Sequence, residues 1–213
     1  MAKFSVYIVI FLLGLCCARA NEIVAVIDDK VIITSDEMKQ NIKIAILMMK
    51  IMNDKKGISG LTNEALEKEI GGLREGDIKG FLNGMVDDKI VFLERNEEAM
   101  VDPSSFIDGF AKRHKIKDID VFLREYGIRK TYFEERFIRD IVKDGIVGSI
   151  CHERKIYDVS ESEIMARLGE MKLGDDEEAK KRARYYIIMT RRGEIEKSFI
   201  KVLRKKHYIE ILI

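Results

Sequence analysis

Two short β-branched runs, Ile23 to Ile27 and Val31 to Thr34, flank the polar triplet Asp28-Asp29-Lys30. That pattern predicts a β-hairpin. An isolated two-stranded hairpin is marginal in water, and the other strand-like run is the last one, Tyr208 to Ile213. The spacing therefore predicts that the two ends of the mature chain meet in one sheet, with everything between them folded back as a single unit.

Between the strands the period of apolar positions changes to that of helices. Thr34 and Glu37 have capping-box spacing and open a helix over Asp36 to about Asn53. On it Met38, Ile42, Ala45, Met49 and Met52 form one stripe, and Ile44, Leu47, Met48 and Ile51 widen it past half the circumference. Lys39, Lys43 and Lys50 mark the strip expected to be solvated. So wide an arc fits either a helix sandwiched inside its own domain or a helix whose second face is a Met-rich surface for apolar segments of another chain.

A connection from Asp54 to Leu61 leads to a second helical stretch, Thr62 to about Arg95, with interruptions. Gly72, Gly76, Gly80 and Gly84 recur there every fourth residue. Each costs about 1 kcal/mol relative to Ala in a helix interior, so the row predicts close approach of a crossing helix. Arg74, Glu75, Asp77 and Lys79 interleave with it, which excludes a membrane dimer seam, and no phosphate-loop pattern is present. Further on, Asp102 with Pro103 opens a helix carrying Phe106, Ile107, Phe110 and Ala111 inward. Asp118 opens another through Tyr126, closed by Gly127; Thr131 with Glu134 opens a long one to about Glu153; Ser160 with Glu163 opens the next. The last helical region spans Asp176 to Thr190 and Glu194 to about Lys205.

The chain begins with a segment of a different kind: Lys3, an apolar run from Phe4 to Leu15, then Ala18-Arg19-Ala20. This reads as a secretory signal peptide cleaved after Ala20, since the run is short for a membrane span. Leu15 before Cys16 does not suit a lipoprotein signal. Cleavage removes Cys16 and Cys17, leaving Cys151 with no intramolecular disulfide partner. The expected organisation is thus a leader at 1–20 and one domain over 21–213, its 21–172 part helical and its 173–213 part closing it. No later run is apolar enough for stable membrane insertion.

Composition narrows the classes further. The chain is 46% hydrophobic and 35% charged, rich enough in apolar side chains for a core. With 38 Lys+Arg against 37 Asp+Glu it offers no electrostatic handle for nucleic acid. One proline and no tryptophan, with abundant Lys, Glu, Ile, Met and Leu, favour a mostly α fold.

Candidate chemistry is sparse. His114, His152 and His207 are scattered among Lys and Arg, with no metal-ligand spacing, so neither metal nor cofactor is expected. Cys151 and His152 are adjacent on a helix and point about 100° apart, which does not make a catalytic pair. The run Lys201, Arg204, Lys205, Lys206 reads as a solvated, dipole-matched helix end. No catalytic residue is expected, and the chain reads as a non-enzyme.

The succession of elements resembles a known family. The segment IVAVIDDKVIITSDE from Ile23, the Asp-Pro helix start, the FLREYGI turn from Phe122, VSESEIMARL from Val159 and the closing ARYYIIMTRRGEIEKSFIKVLRKKHYIEILI are similar to the amino-terminal domain of SurA-type periplasmic chaperones. The resemblance implies a multi-helix chaperone core whose small hairpin is completed by the carboxy-terminal strand, and a periplasmic location. Family members usually carry parvulin-type prolyl isomerase domains before that closing helix and strand. Here the stretch from Leu168 to Glu178 is far too short to hold a domain.

The expected function is therefore an ATP-independent holdase for unfolded apolar-rich segments, outer-membrane proteins foremost, without isomerase activity. The expected client contacts are Ile44, Met48, Ile51 and Met52 from the first helix with Phe81 and Met85 from the second. The alternative is an exported adaptor using the same helical surface for one folded partner, a homodimer included.

Overall fold

The computed structural model describes residues 22–53, 61–94 and 101–213. Met1 to Ala20, where a leader is expected, most of the connection from Asp54 to Leu61, and Arg95 lie outside the described residues. Among the described residues the protein is mostly helical, with eight helices and one small three-stranded antiparallel sheet.

The sheet joins the two ends of the described chain. Strands β1 (Ile23–Ile27) and β2 (Val31–Thr34) form the expected hairpin, and β3 (Ile209–Ile211) pairs antiparallel with β1 on its other side. β3 is shorter than the apolar run that predicts it, although the Leu212 N–H still donates to the Val24 carbonyl at 2.9 Å. At the hairpin tip Asp28 and Asp29 both take left-handed backbone angles, with φ of 52° and 55°, and the Lys30 N–H closes the turn onto the Ile27 carbonyl at 3.1 Å. Short polar side chains visit this region at lower cost than most residues.

Helix α1 (Ser35–Asn53) is buried on most of its surface, with Ile42, Ile44, Ile46, Leu47 and Ile51 all in the interior. Around it lie α2 (Asn63–Gly71), α3 (Glu75–Leu93) and α6 (Lys130–Glu153). The wide apolar arc is thus filled by the protein's own helices. Leu66 of α2, Ile107 of α4 (Ser104–Arg113), Leu123 of α5 (Ile119–Glu125) and Phe133 of α6 complete that core. A second core lies under the sheet, where Val24, Ile27 and Ile33 meet Leu82, Val86 and Ile90 of α3 and Leu203 of α8 (Glu177–Lys206). Helix α7 (Glu161–Met171) packs on the first half of α8 through Ile164, Leu168, Ala179 and Ala183. No helix among the described residues is long and apolar enough to cross a membrane.

Several local expectations need correction. Lys43 is not solvated: it is 3% exposed, and its ammonium pairs with Glu67 Oε1 at 2.5 Å and Asn63 Oδ1 at 2.9 Å. A long stem lets its charge reach polar partners from an otherwise buried position. Thr34 Oγ1 accepts the Glu37 N–H at 3.2 Å, but the Glu37 carboxylate turns inward to Lys89 at 2.9 Å, so only half of the capping box forms. Thr131 does not cap α6, which already starts at Lys130, and Phe106 is 54% exposed while Ile107 takes the buried position.

The last helical region is one continuous helix. Its expected break near Arg191 to Gly193 is bridged because Arg191 donates to the carbonyls of Ile156 and Asp158 and pairs with Glu163, while Arg192 reaches Asp144 at 2.7 Å. Pro103 takes the cap position of α4 instead of its first turn, with Asp102 just before it accepting the Ser104 N–H at 2.9 Å, while the caps of α5, α7 and α8 fall where the helix starts were expected. Asp118 accepts the Asp120 and Val121 N–H groups, Ser160 and Glu163 form a full capping box, and Asp176 accepts the Ala179 N–H. Gly127 has φ of 62°, as a left-handed helix end requires.

Candidate functional site

The row of glycines on α3 is not a packing seam. A Cβ placed on Gly76, Gly80 or Gly84 meets nothing within 4 Å, and one on Gly72 meets only carbonyls of its own preceding turn. Among the described residues no helix crosses there. Instead Gly76, Gly80 and Gly84 form one wall of an open cleft of about 610 Å³ between α1, α3, α6 and α8.

The cleft has an apolar and a charged side. Ile42 and Ala45 of α1, Phe81 and Met85 of α3 and Ile200 of α8 supply the apolar lining. Spacing explains why the glycines open it: residues four apart on a helix share a face, and with no side chains that face leaves the groove unfilled. The same helix buries Leu82, Val86 and Ile90 on another face, so packing elsewhere offsets its glycine cost.

The charged side is an ion-pair network. Asp88 is buried and lies 3.3 Å from both Arg136 and Lys143, and Lys143 continues to Glu196 at 2.9 Å. Arg136 also pairs with Asp140 at 3.1 Å, and Arg204 of α8 binds Asp87 at 2.5 Å and the Asn83 carbonyl at 3.1 Å. Burial lifts the Asp140 carboxyl above the ordinary aspartate range, opposed by Arg136 and reinforced by Asp88. Two-fifths of that side chain remains exposed, so the pull is modest. Burial alone would lower Lys143; the Asp88 and Glu196 carboxylates outweigh it and hold the ammonium above its ordinary value. Asp87, Asp88 and Glu196 therefore already have cationic partners, and no group of three metal-ligating side chains occurs among the described residues. The charges of this wall are compensated, and beside them the cleft carries its apolar lining.

The six expected contacts do not share one surface. Phe81 and Met85 line the cleft, half-buried and buried respectively. Ile44 and Ile51 are buried in the α1 core, and Met48 packs against that core half-buried. Met52 is 67% exposed at the far end of α1 and, with Met49, is what remains of a Met-rich outer face. Sequence reasoning picked out the glycine row but read it as contact instead of opening. The ion pairs of the charged wall join residues far apart in the chain, and no local signal announces them.

Elsewhere Cys151 is completely buried, with His152 exposed beside it. The carboxy-terminal basic run is partly engaged, since Arg204 holds Asp87 and Lys206 holds Glu94 at 2.8 Å. Further along α8, Tyr185, Tyr186 and Met189 stand exposed, and Arg167 of α7 stacks over the Tyr186 ring at 3.7 Å. No protein-family model matches the chain, and no curated protein matches it by sequence.

Proposed function

We propose that this protein is an ATP-independent holdase of the SurA type, reduced to the chaperone core, that works outside the cytoplasm on unfolded apolar-rich segments such as those of outer-membrane proteins. The observation that supports this reading is the open, glycine-walled cleft with its apolar lining of Ile42, Ala45, Phe81, Met85 and Ile200. A segment of unfolded chain laid against Gly76, Gly80 and Gly84 approaches the α3 backbone closely and buries its own apolar side chains on that lining. Holding such a segment delays aggregation by mass action and requires no nucleotide. Nothing in this mechanism needs an isomerase, a metal or a cofactor.

A second reading, an exported adaptor with one folded partner, draws on the exposed Tyr185, Tyr186 and Met189 of α8, because aromatic and Met side chains are enriched at interfaces. Light scattering separates the two. A denatured outer-membrane protein is diluted into buffer with the purified protein, with Gly80→Phe, or with Tyr185→Ala. The holdase reading expects suppression by the wild type and by Tyr185→Ala, and loss of suppression with Gly80→Phe, whose side chain enters open space and leaves the far-ultraviolet spectrum unchanged. No suppression of several unrelated clients by the wild type would overturn it.

A further inference from the structure

A second constellation lies where the two ends of the chain meet, and it holds whatever the cleft binds. His207 ends α8 immediately before β3, with its ring only 12% exposed between two carboxylates. Nδ1 is 2.5 Å from Asp28 Oδ2 at the hairpin tip, and Nε2 is 3.4 Å from Glu94 Oε1 at the end of α3. Asp28 is bound twice more to Tyr208, the residue that leads into β3. Its Oδ1 accepts the Tyr208 N–H at 2.8 Å, and its own N–H donates to the Tyr208 carbonyl at 2.9 Å.

The proton count gives this cluster its meaning. A neutral imidazole has one N–H, so it satisfies one of the two carboxylates and turns a lone pair toward the other. Nε2 is shielded from solvent and forms no hydrogen bond, leaving the Glu94 carboxylate as the charge it faces. Only the imidazolium carries a donor on each side, and its position at the carboxyl end of a long helix favours a cation further.

We infer that His207 is a pH-dependent clasp: protonated, it ties the closing strand β3 to the hairpin turn and to the end of α3, and deprotonated it releases one of those ties and loosens the strand. Charged groups from three elements face the ring. The hairpin presents Asp28 with Lys30 nearby, α3 presents Glu94, and α8 presents Lys206 beside the ring. Lys206 is held by both Glu94 oxygens, at 2.8 and 2.9 Å. The two ammonium groups oppose the imidazolium at longer range, whereas the carboxylates contact it.

Both carboxylates sit below their ordinary ranges. The His207 ring is the first cause for Asp28, followed by the Tyr208 N–H; Lys206 is the first cause for Glu94, with His207 adding to it. Depressed carboxylates contribute stability that is present above their unfolded values and lost as the pH falls through the folded ones.

The test is amide hydrogen exchange of the wild-type protein, read at Asp28, Tyr208 and Leu212 and corrected for intrinsic rates, at about pH 5.5 and about pH 8, values on either side of the ordinary histidine titration. Protection at these amides is expected to fall about tenfold on going to the higher pH, the size expected for loss of one charge-assisted hydrogen bond. Amides of the α1 core should not follow. In His207→Gln and in Asp28→Asn, which keeps a side chain tolerant of the left-handed turn, the difference between the two pH values should vanish. Unchanged wild-type protection across that interval overturns the clasp. So does a tenfold loss that persists in either variant.

Discussion

Helices α1 and α3 are both 19 residues long and lie side by side, yet they treat their notable faces in opposite ways. On α1 an apolar arc too wide for one interface is consumed by the protein itself, and even Lys43 is drawn inside to meet Glu67 and Asn63. On α3 a row of residues without side chains, the pattern usually taken as a sign of tight packing, borders empty space. Large apolar side chains report burial, because exposing them costs free energy in proportion to area. Glycines report only that a Cβ is absent; whether a neighbour takes up that room depends on the rest of the fold.

The contrast is sharpened first by the most damaging change. Ile44→Ala removes a side chain that is 1% exposed in the α1 core and should destabilise the protein by about 2–5 kcal/mol, read by chemical denaturation. A loss under about 1 kcal/mol would mean that this face of α1 is not the filled one.

Next is Gly127→Ala. The glycine's φ is 62°, and an added Cβ lies 3.2 Å from both Lys43 Nζ and Asn63 Oδ1, so the change combines backbone strain with pressure on the interior cation. A loss of about 1–2 kcal/mol is expected. Replacing Lys43 with Met should reduce that loss, since the crowded ammonium is gone.

On the open helix the sign reverses. Gly80→Ala places a methyl group in free space within a helix interior and should stabilise by up to about 1 kcal/mol, visible as a raised denaturation midpoint with an unchanged slope. Destabilisation there would show that something does pack on the row.

The smallest effect is in acid. Glu67 is held below the ordinary glutamate range first by Lys43 and then by Lys39. Its contribution is present above the unfolded value and fades as the pH falls through the lowered one. Glu67→Gln should therefore flatten the acid limb of the stability curve while leaving the alkaline side unchanged.

These differences also show which parts of the structure were legible in the sequence. The hairpin, the meeting of the two chain ends and the helix starts at Asp118, Ser160 and Asp176 are written in local patterns of β-branching and side-chain oxygens, and they appear as read. The inward turn of Glu37 and Lys43 is not local. It depends on Lys89, Asn63 and Glu67 arriving from other helices. The same applies to the cleft. Phe81 and Met85 were identifiable as apolar positions, but their neighbours Arg136, Lys143 and Ile200 come from helices more than fifty residues away. The continuity of α8 through Arg191 and Arg192 likewise rests on carbonyls and carboxylates of a preceding loop and two other helices.

The account's central claim is that apolar clients lie in the glycine-walled cleft and not on the outer Met face of α1. The most direct measurement is photo-crosslinking with benzoylphenylalanine placed singly at Phe81, where an aromatic side chain already lines the cleft, and at Met52, in the presence of a denatured outer-membrane protein. Strong client adducts from position 81 with few from position 52 are predicted. Adducts mainly from position 52, or equal from both, would contradict it.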